Sequence, residues 1–358
     1  MSGPVARIAD RLLLDLAPFD PTAAAAAVVQ GLPTDIPALP DHGPEPAASI
    51  VAAHRRTLGA LAGCTPTDDA ERDLAAALAE RAASEIALST VGFGAEQLAP
   101  LATAPQLLRE RIGSAIDTAV AASGAQESER WSQALDALAA LGPALDGHRR
   151  TLDDSRDRGL GPARRQVLAV ARQCADWIDP AGSNWFAAQV DRAPSGWRER
   201  LRTAVGDAVP AMARYRDFLT DDLAPRSPDQ DAVGEDVYRV TASAYLGDRV
   251  DPFELAAWGA DELRRIQAEI ALVARDIDPD GPAAAAALLD ADPSRRIDTP
   301  DGIVDWLETS LRHAADVLDG RFVRLPAPHA LPECRVSDSG AGVMYYAPAD
   351  ADGARVSA

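Results

Sequence analysis

The stretch RVDPFELAAWGADELRRIQAEIALVARDI, residues 249–277, carries the clearest structural instructions in the chain. Asp251 stands where an N-cap belongs, Pro252 follows at the first helical position, and Glu254 falls three residues after the cap. That pattern is a capping box, in which side chains satisfy backbone N–H groups that have no helical partner. Val250 and Leu255 are placed to close a hydrophobic staple over it. Leu255, Trp258, Ile266, Ile270, Val273 and Ile277 then recur mostly at steps of three and four, the spacing of one helix face. Asp278-Pro279-Asp280-Gly281 ends the run. The expected helix is about 26 residues and roughly 39 Å long. Its apolar stripe is expected to lie in a core.

Working outward, similar signals recur along most of the chain. Helices are expected at Ala6–Leu16, Thr22–Gln30, Ala47–Ala62, Asp69–Leu88, Leu107–Ala122 and Glu127–Leu141. Gly142-Pro143 reads as a break before a further helical stretch, Ala144–Asp153. A helix opened by Gly161-Pro162 runs to Ile178, and another spans Trp197–Leu223 with Val205, Val209, Met212, Tyr215 and Leu219 as its buried stripe. Residues 224–247 read as a connection into the capped helix, in which Tyr238 and Tyr245 can bury a ring and pair a hydroxyl. Beyond it lie a short alanine-rich helix after Gly281 and a helix capped at Thr299 that runs to Asp319, with Gly320 past its end. The proline-dense run Gly31–Pro46 and the stretch Val91–Pro105 are irregular connections. Near the C-terminus, Pro332–Val336 and Gly342–Tyr346, joined by SDSGAG, read as a β-hairpin. The expected fold is therefore mainly α: an elongated multi-helix bundle over residues 1–320, with a possible subdivision near 142–160. A small hairpin and a polar tail fill 321–358.

Composition narrows the function. The 358 residues carry a net charge of -20, which disfavours nucleic acid and anionic membrane as partners through simple repulsion. Every basic residue is arginine, so a Schiff-base lysine and a P-loop lysine are excluded. Cys64, Cys174 and Cys334 are odd in number, far apart and without CxxC spacing, as expected of reduced thiols in a cytoplasmic protein. Arg7, Asp10, Arg11 and Asp15 interrupt any signal-peptide core, and no apolar run approaches the roughly 18 residues of a membrane span.

Catalytic motifs are missing. None of the five histidines falls in HExxH, the spacing that sets two imidazoles around zinc on one helix face. His313 and Asp316 stand at i and i+3 but lack a third ligand, and His329 with Cys334 flanks a turn with no further ligand nearby. His54 reads as a packed or capping histidine. No GxSxG, P-loop or dinucleotide fingerprint is present. No catalytic residue, metal ligand or cofactor is assigned.

The order of the elements nevertheless resembles a known family. RDRGLGPARRQVLAVARQC, YRDFLTDDLAP, GEDVYRVTASAYLG and DPFELAAWGADELRRIQAEI, with the tail LPECRVSDSGAGVMYYAPADADGAR, are similar in sequence and order to the bacterial domain-of-unknown-function family 885. The resemblance implies a mostly helical relative of gluzincin zinc metallopeptidases, in which zinc polarises the scissile carbonyl and the motif glutamate is the general base. In that family the zinc helix follows the tyrosine-bearing strand, and this sequence ends at Ala358 before any HExxH. The resemblance therefore carries over a scaffold and one strand, Gly342–Tyr346, that would edge a peptide cleft. Tyr345 and Tyr346 are its candidate substrate-binding residues. The expected function is the N-terminal non-catalytic part of a metallopeptidase-like protein, inactive alone. Its expected partner is a peptide or a separately encoded catalytic half. The alternative is a helical peptide-binding or scaffold protein without catalysis.

Overall fold

A computed structural model describes residues 3–19, 37–94, 97–100, 103–182, 184–323, 331 and 334–336. Among these, the regular structure is helical, with one isolated bridge between Asp319 and Val323. The expected hairpin lies outside the described residues except for Cys334–Val336, which are not in a strand. The expected helix at Thr22–Gln30 also lies outside them. The described chain divides after Pro252 into two units.

The first unit begins with α1 (Pro4–Leu16), α2 (Pro44–Ala62) and α3 (Asp69–Thr90), which pack on one another. One carboxylate joins the ends of two of them. Asp68 caps α3 by accepting from the Glu71 N–H at 2.8 Å. The Glu71 side chain accepts from the Thr67 N–H at 3.1 Å, the Thr67 hydroxyl at 3.0 Å and the Val5 N–H at 3.0 Å. A single acid thus satisfies orphan donors at the N-termini of both α1 and α3. Burial pushes its pKa up, but the Thr67 and Val5 hydrogen bonds outweigh burial and hold it below the ordinary carboxylate value.

The core of the first unit is built from α4 (Ala104–Ala121), α5 (Glu127–Asp157), α6 (Arg164–Ile178), α7 (Trp185–Arg192) and α8 (Ser195–Asp217). Leu108, Ile112 and Ile116 supply one face of α4 at i, i+4 and i+8. They meet Leu138, Leu141 and Leu145 of α5, and all six are fully buried or nearly so. The break expected at Gly142-Pro143 does not occur: α5 is continuous through Pro143 for 31 residues. Proline inside a helix costs about 3 kcal/mol, and each fully buried leucine returns about 1.5–3 kcal/mol. Packing on either side of the proline therefore outweighs the local penalty. Close approach explains the small residues as well. A Cβ on Gly142 would touch Ala211 of α8 at 3.5 Å, while one on Gly147 would come within 2.3 Å of Asp41 Oδ1. Crossing α5, α8 contains Pro210 and is prolonged by a π-helical turn at Phe218–Leu223, which fills the expected span to Leu223.

Two elements of this unit are helical where the sequence reading had none. The helix α7 is capped by Asn184, whose Oδ1 accepts from the Ala187 N–H at 2.9 Å. The segment read as a connection contains α9 (Glu235–Leu246), which packs on α3. It begins with two acids after Gly234 and ends at Gly247, whose φ of 70° is the left-handed conformation of a C-terminal glycine.

The second unit contains α10 (Pro252–Ile277), α11 (Pro282–Asp290) and α12 (Pro300–Leu318). The bounds of α10 match the sequence reading, as does the Thr299 cap, which accepts from the Gly302 N–H at 3.2 Å. The burial does not. Trp258 is 63% exposed and Ile270 51%, and Ile266, Val273 and Ile277 are exposed too; Leu255 is half-buried. Ala274 is the buried residue of α10, and α12 has none. Periodicity identified an apolar face correctly, but among the described residues that face is exposed rather than in a core.

Candidate functional site

Two of the segments that carry the family resemblance, RDRGLGPARRQVLAVARQC and YRDFLTDDLAP, meet in the first unit. Arg164, at the start of α6, donates through Nε to the Ala224 carbonyl at 3.0 Å and through its backbone N–H to the Pro228 carbonyl at 2.8 Å. Arg165 pairs with Asp231 at 2.5 Å. These contacts fasten the glycine-bearing turn before α6 to the turn after α8. Between the two turns lies a cavity of about 370 Å³, lined by Arg156, Gly159, Gly161, Leu223, Pro225, Arg226, Ser227 and Pro228. Its cations are already neutralised. Arg156 is held between Asp157 and Asp153, both at 2.8 Å, and its pKa is raised by the hydrogen bond to Asp157 despite partial burial. Arg226 pairs with Asp222. A cavity so compensated can fix two turns, and its one hydroxyl, that of Ser227, is spent donating to the Leu223 carbonyl at 2.9 Å.

A buried polar column lies deeper in the same unit. Tyr215 Oη and His148 Nδ1 are 2.7 Å apart, with the two rings stacked at 5.9 Å between centroids. Burial raises the tyrosine pKa far above its ordinary value, so the phenol stays neutral and can donate to Nδ1. The His42 ring meets His148 edge-on at 5.9 Å, and the Thr151 hydroxyl donates to the His42 carbonyl at 2.7 Å. This column anchors the segment before α2 onto α5 and α8. Burial also drives the Cys174 thiol up to about 12, only slightly relieved by Arg216, which makes it unreactive.

The candidate residues from sequence fall as follows. Tyr345, Tyr346 and His329 lie outside the described residues. His313 and Asp316 are both exposed on α12. His54 is packed, 5% exposed, with its pKa lowered by burial; Glu85 opposes that shift and Arg81 adds to it. The described residues do not fit a zinc centre, since no three histidine, cysteine, aspartate or glutamate side chains converge among them. In the second unit, a cavity of about 480 Å³ is lined by Leu289, Asp290, Asp292, Arg295 and Arg296, where Asp292 is occupied in capping Ser294 at 2.9 Å.

The largest unassigned chemical feature is therefore apolar. Within its own unit, α10 presents Trp258, Ile266, Ile270 and Val273, and α12 presents Ile303, Trp306 and Val317, all exposed. Exposed apolar side chains gathered on a helix face mark interaction sites in folded proteins. Among the described residues, no helix is long and apolar enough to cross a membrane.

Comparison with known proteins gives the chain its family. It belongs to the family described as bacterial protein of unknown function (DUF885), whose model matches residues 25–358. No curated protein matches. A crystal structure described as "the putative lipoprotein from Colwellia psychrerythraea" is similar, with a TM-score of 0.62 and 13% identity over 87% of this chain. At that identity the likeness is one of fold. This chain spans 58% of the length of that one.

Proposed function

With membership of that family as the premise, we propose that this chain is the N-terminal, non-catalytic helical scaffold of a metallopeptidase-like protein and is inactive alone. The observation that supports it best is the exposed apolar face on each of α10 and α12. A helix with a regular apolar stripe is built to be covered. The occupant is a polypeptide that supplies the chemistry, and the chain's own sequence carries no HExxH to supply it. On this reading Tyr345 and Tyr346 border the substrate cleft that forms with that polypeptide. The location is the cytoplasm, a reading supported by three cysteines that form no disulfide.

The test is hydrolysis of a mixed peptide library by the purified chain with zinc supplied and then removed by chelation. No turnover is expected in either condition. Hydrolysis that appears with zinc and disappears with chelator would overturn the scaffold reading. Saturable binding of library peptides without turnover would favour the peptide-binding alternative instead.

A further inference from the structure

The exposed face of α10 has a finer order than a helical stripe. Leu263, Ile266, Ile270, Val273 and Ile277 follow one another at alternating steps of three and four, the a and d positions of a heptad repeat. Ala256 and Gly259 carry the same register one heptad toward the N-terminus. A face of that period meets a partner helix along one continuous seam. All five large seam residues are 38–59% exposed. The two edges of the seam differ. Glu262, Glu269 and Asp276, seven residues apart, line one edge, and Ala260, Gln267 and Ala274 line the other. Ala274 is buried, whereas Glu269 and Asp276 are exposed and Glu262 is partly so, which makes the acidic edge the open one. Arg265 bridges Glu262 at 2.5 Å and Glu269 at 2.6 Å, and so offsets the three acids only in part.

These edges decide what can cover the seam. A second copy laid antiparallel would set acidic edge against acidic edge, and one laid parallel would set the acids against Ala260, Gln267 and Ala274. Neither arrangement compensates the charge, and the net charge of -20 adds repulsion between copies. We propose that α10 docks one α-helix of a different polypeptide, with an apolar heptad seam and arginine or lysine along the edge that meets Glu262, Glu269 and Asp276. Interlocking of the two seams removes Ile266, Ile270 and Val273 from water, while the cations facing the acids select the partner and fix its register. Toward the N-terminus the seam has room for bulky partner side chains, since a Cβ on Gly259 would meet nothing within 4 Å. The proposal rests on the scaffold reading and deepens it, by naming the chemistry of the polypeptide that covers this face.

The probe is a synthetic helix of about four heptads with leucine at a and d and arginine at e and g, labelled for fluorescence anisotropy. Arginine on both edges serves either orientation and keeps the probe from pairing with itself. The same peptide with glutamate at e and g, and a scrambled arginine peptide of identical composition, are compared with it against the full, unaltered chain. The arginine heptad peptide should bind saturably, about tenfold or more tighter than either comparison. Its lead over the glutamate peptide should shrink as salt rises. Ile270→Asp, at an exposed position, should leave circular dichroism unchanged and weaken binding about tenfold or more. Glu262→Gln combined with Glu269→Gln should narrow the gap between the arginine and glutamate peptides. Equal binding of the scrambled peptide would reduce the effect to net charge and overturn the proposal. So would equal binding of the glutamate peptide, the absence of saturable binding, binding that Ile270→Asp leaves unchanged, or a dimer of the chain that Ile270→Asp breaks. The three-peptide comparison needs no variant to fold. None of these outcomes alters the hydrolysis test, whereas zinc-dependent turnover by the chain would end the scaffold reading with the peptide selectivity intact.

Discussion

The two units are made from helices of similar quality and put them to different use. In the first, α4, α5 and α8 bury their apolar faces in a common core, with Leu141 and Ile112 fully excluded from solvent. In the second, α10 has as regular a stripe, yet Trp258, Ile270 and Val273 of that stripe are more than half exposed. Local sequence decides that a helix forms, because capping, proline at the first turn and a glycine stop act within a few residues. What covers the helix is decided by surfaces elsewhere. Most helical stability in proteins comes from that packing, so the two units should respond very differently to the same substitution.

The sharpest contrast is a matched pair. Leu141→Ala in α5 should cost about 2–5 kcal/mol, the lost transfer plus the cavity left behind. Ile266→Ala, 40% exposed on α10, should fall within about 0.5 kcal/mol, as exposed substitutions do. Chemical denaturation of the two variants measures both. Comparable losses would mean that the α10 face is packed after all.

The same contrast shows what the sequence could tell. The bounds of α10 and the Thr299 cap were legible because each is fixed by adjacent residues. Gly142-Pro143 misled because a proline signals a local penalty, whereas the Leu138, Leu141 and Leu145 packing that overrides it comes from α4 and α8. Two missed helices did carry signals: Asn184 as the cap of α7, and Glu235-Asp236 with Gly247 bracketing α9. Eight residues of α7 are too few for a periodic pattern to stand out. Of the site residues, Tyr345 and Tyr346 came from the resemblance alone.

Acid should affect the first unit through two groups with depressed pKa values. His54 is held neutral in the fold, so the unfolded chain binds more protons once the pH falls below the ordinary histidine value of 6.5. Stability should therefore decline as pH drops through 6.5, and His54→Gln should flatten that part of the curve. Glu71 acts lower. Its contribution is complete above the ordinary carboxylate pKa and is lost as pH falls through its depressed value. Glu71→Gln should remove that segment of the profile and loosen the start of α1. Equilibrium unfolding across pH 3–8, which covers both windows, checks each variant; a His54→Gln curve still falling at 6.5 would assign the effect elsewhere.

The smallest effect expected is at the surface of the well-packed unit. Arg192 bridges from the end of α7 to Asp117 of α4 at 2.6 Å, with both side chains substantially exposed. Removing it by Arg192→Ala should cost about 0.2–1 kcal/mol, and less in high salt. A larger, salt-independent loss would show that this pair positions α7 rather than decorating it.

Hydrogen exchange resolved by segment tests the difference between the units most directly. Amides of Leu138–Leu152 in α5 should open only with global unfolding, whereas those of Ile266–Ile277 in α10 should exchange through cheap local opening. Addition of a polypeptide that completes the fold should then slow α10 selectively and leave α5 as it was. Protection of Ile266–Ile277 equal to that of Leu138–Leu152 in the isolated chain would contradict the assignment of α10 as an uncovered docking face.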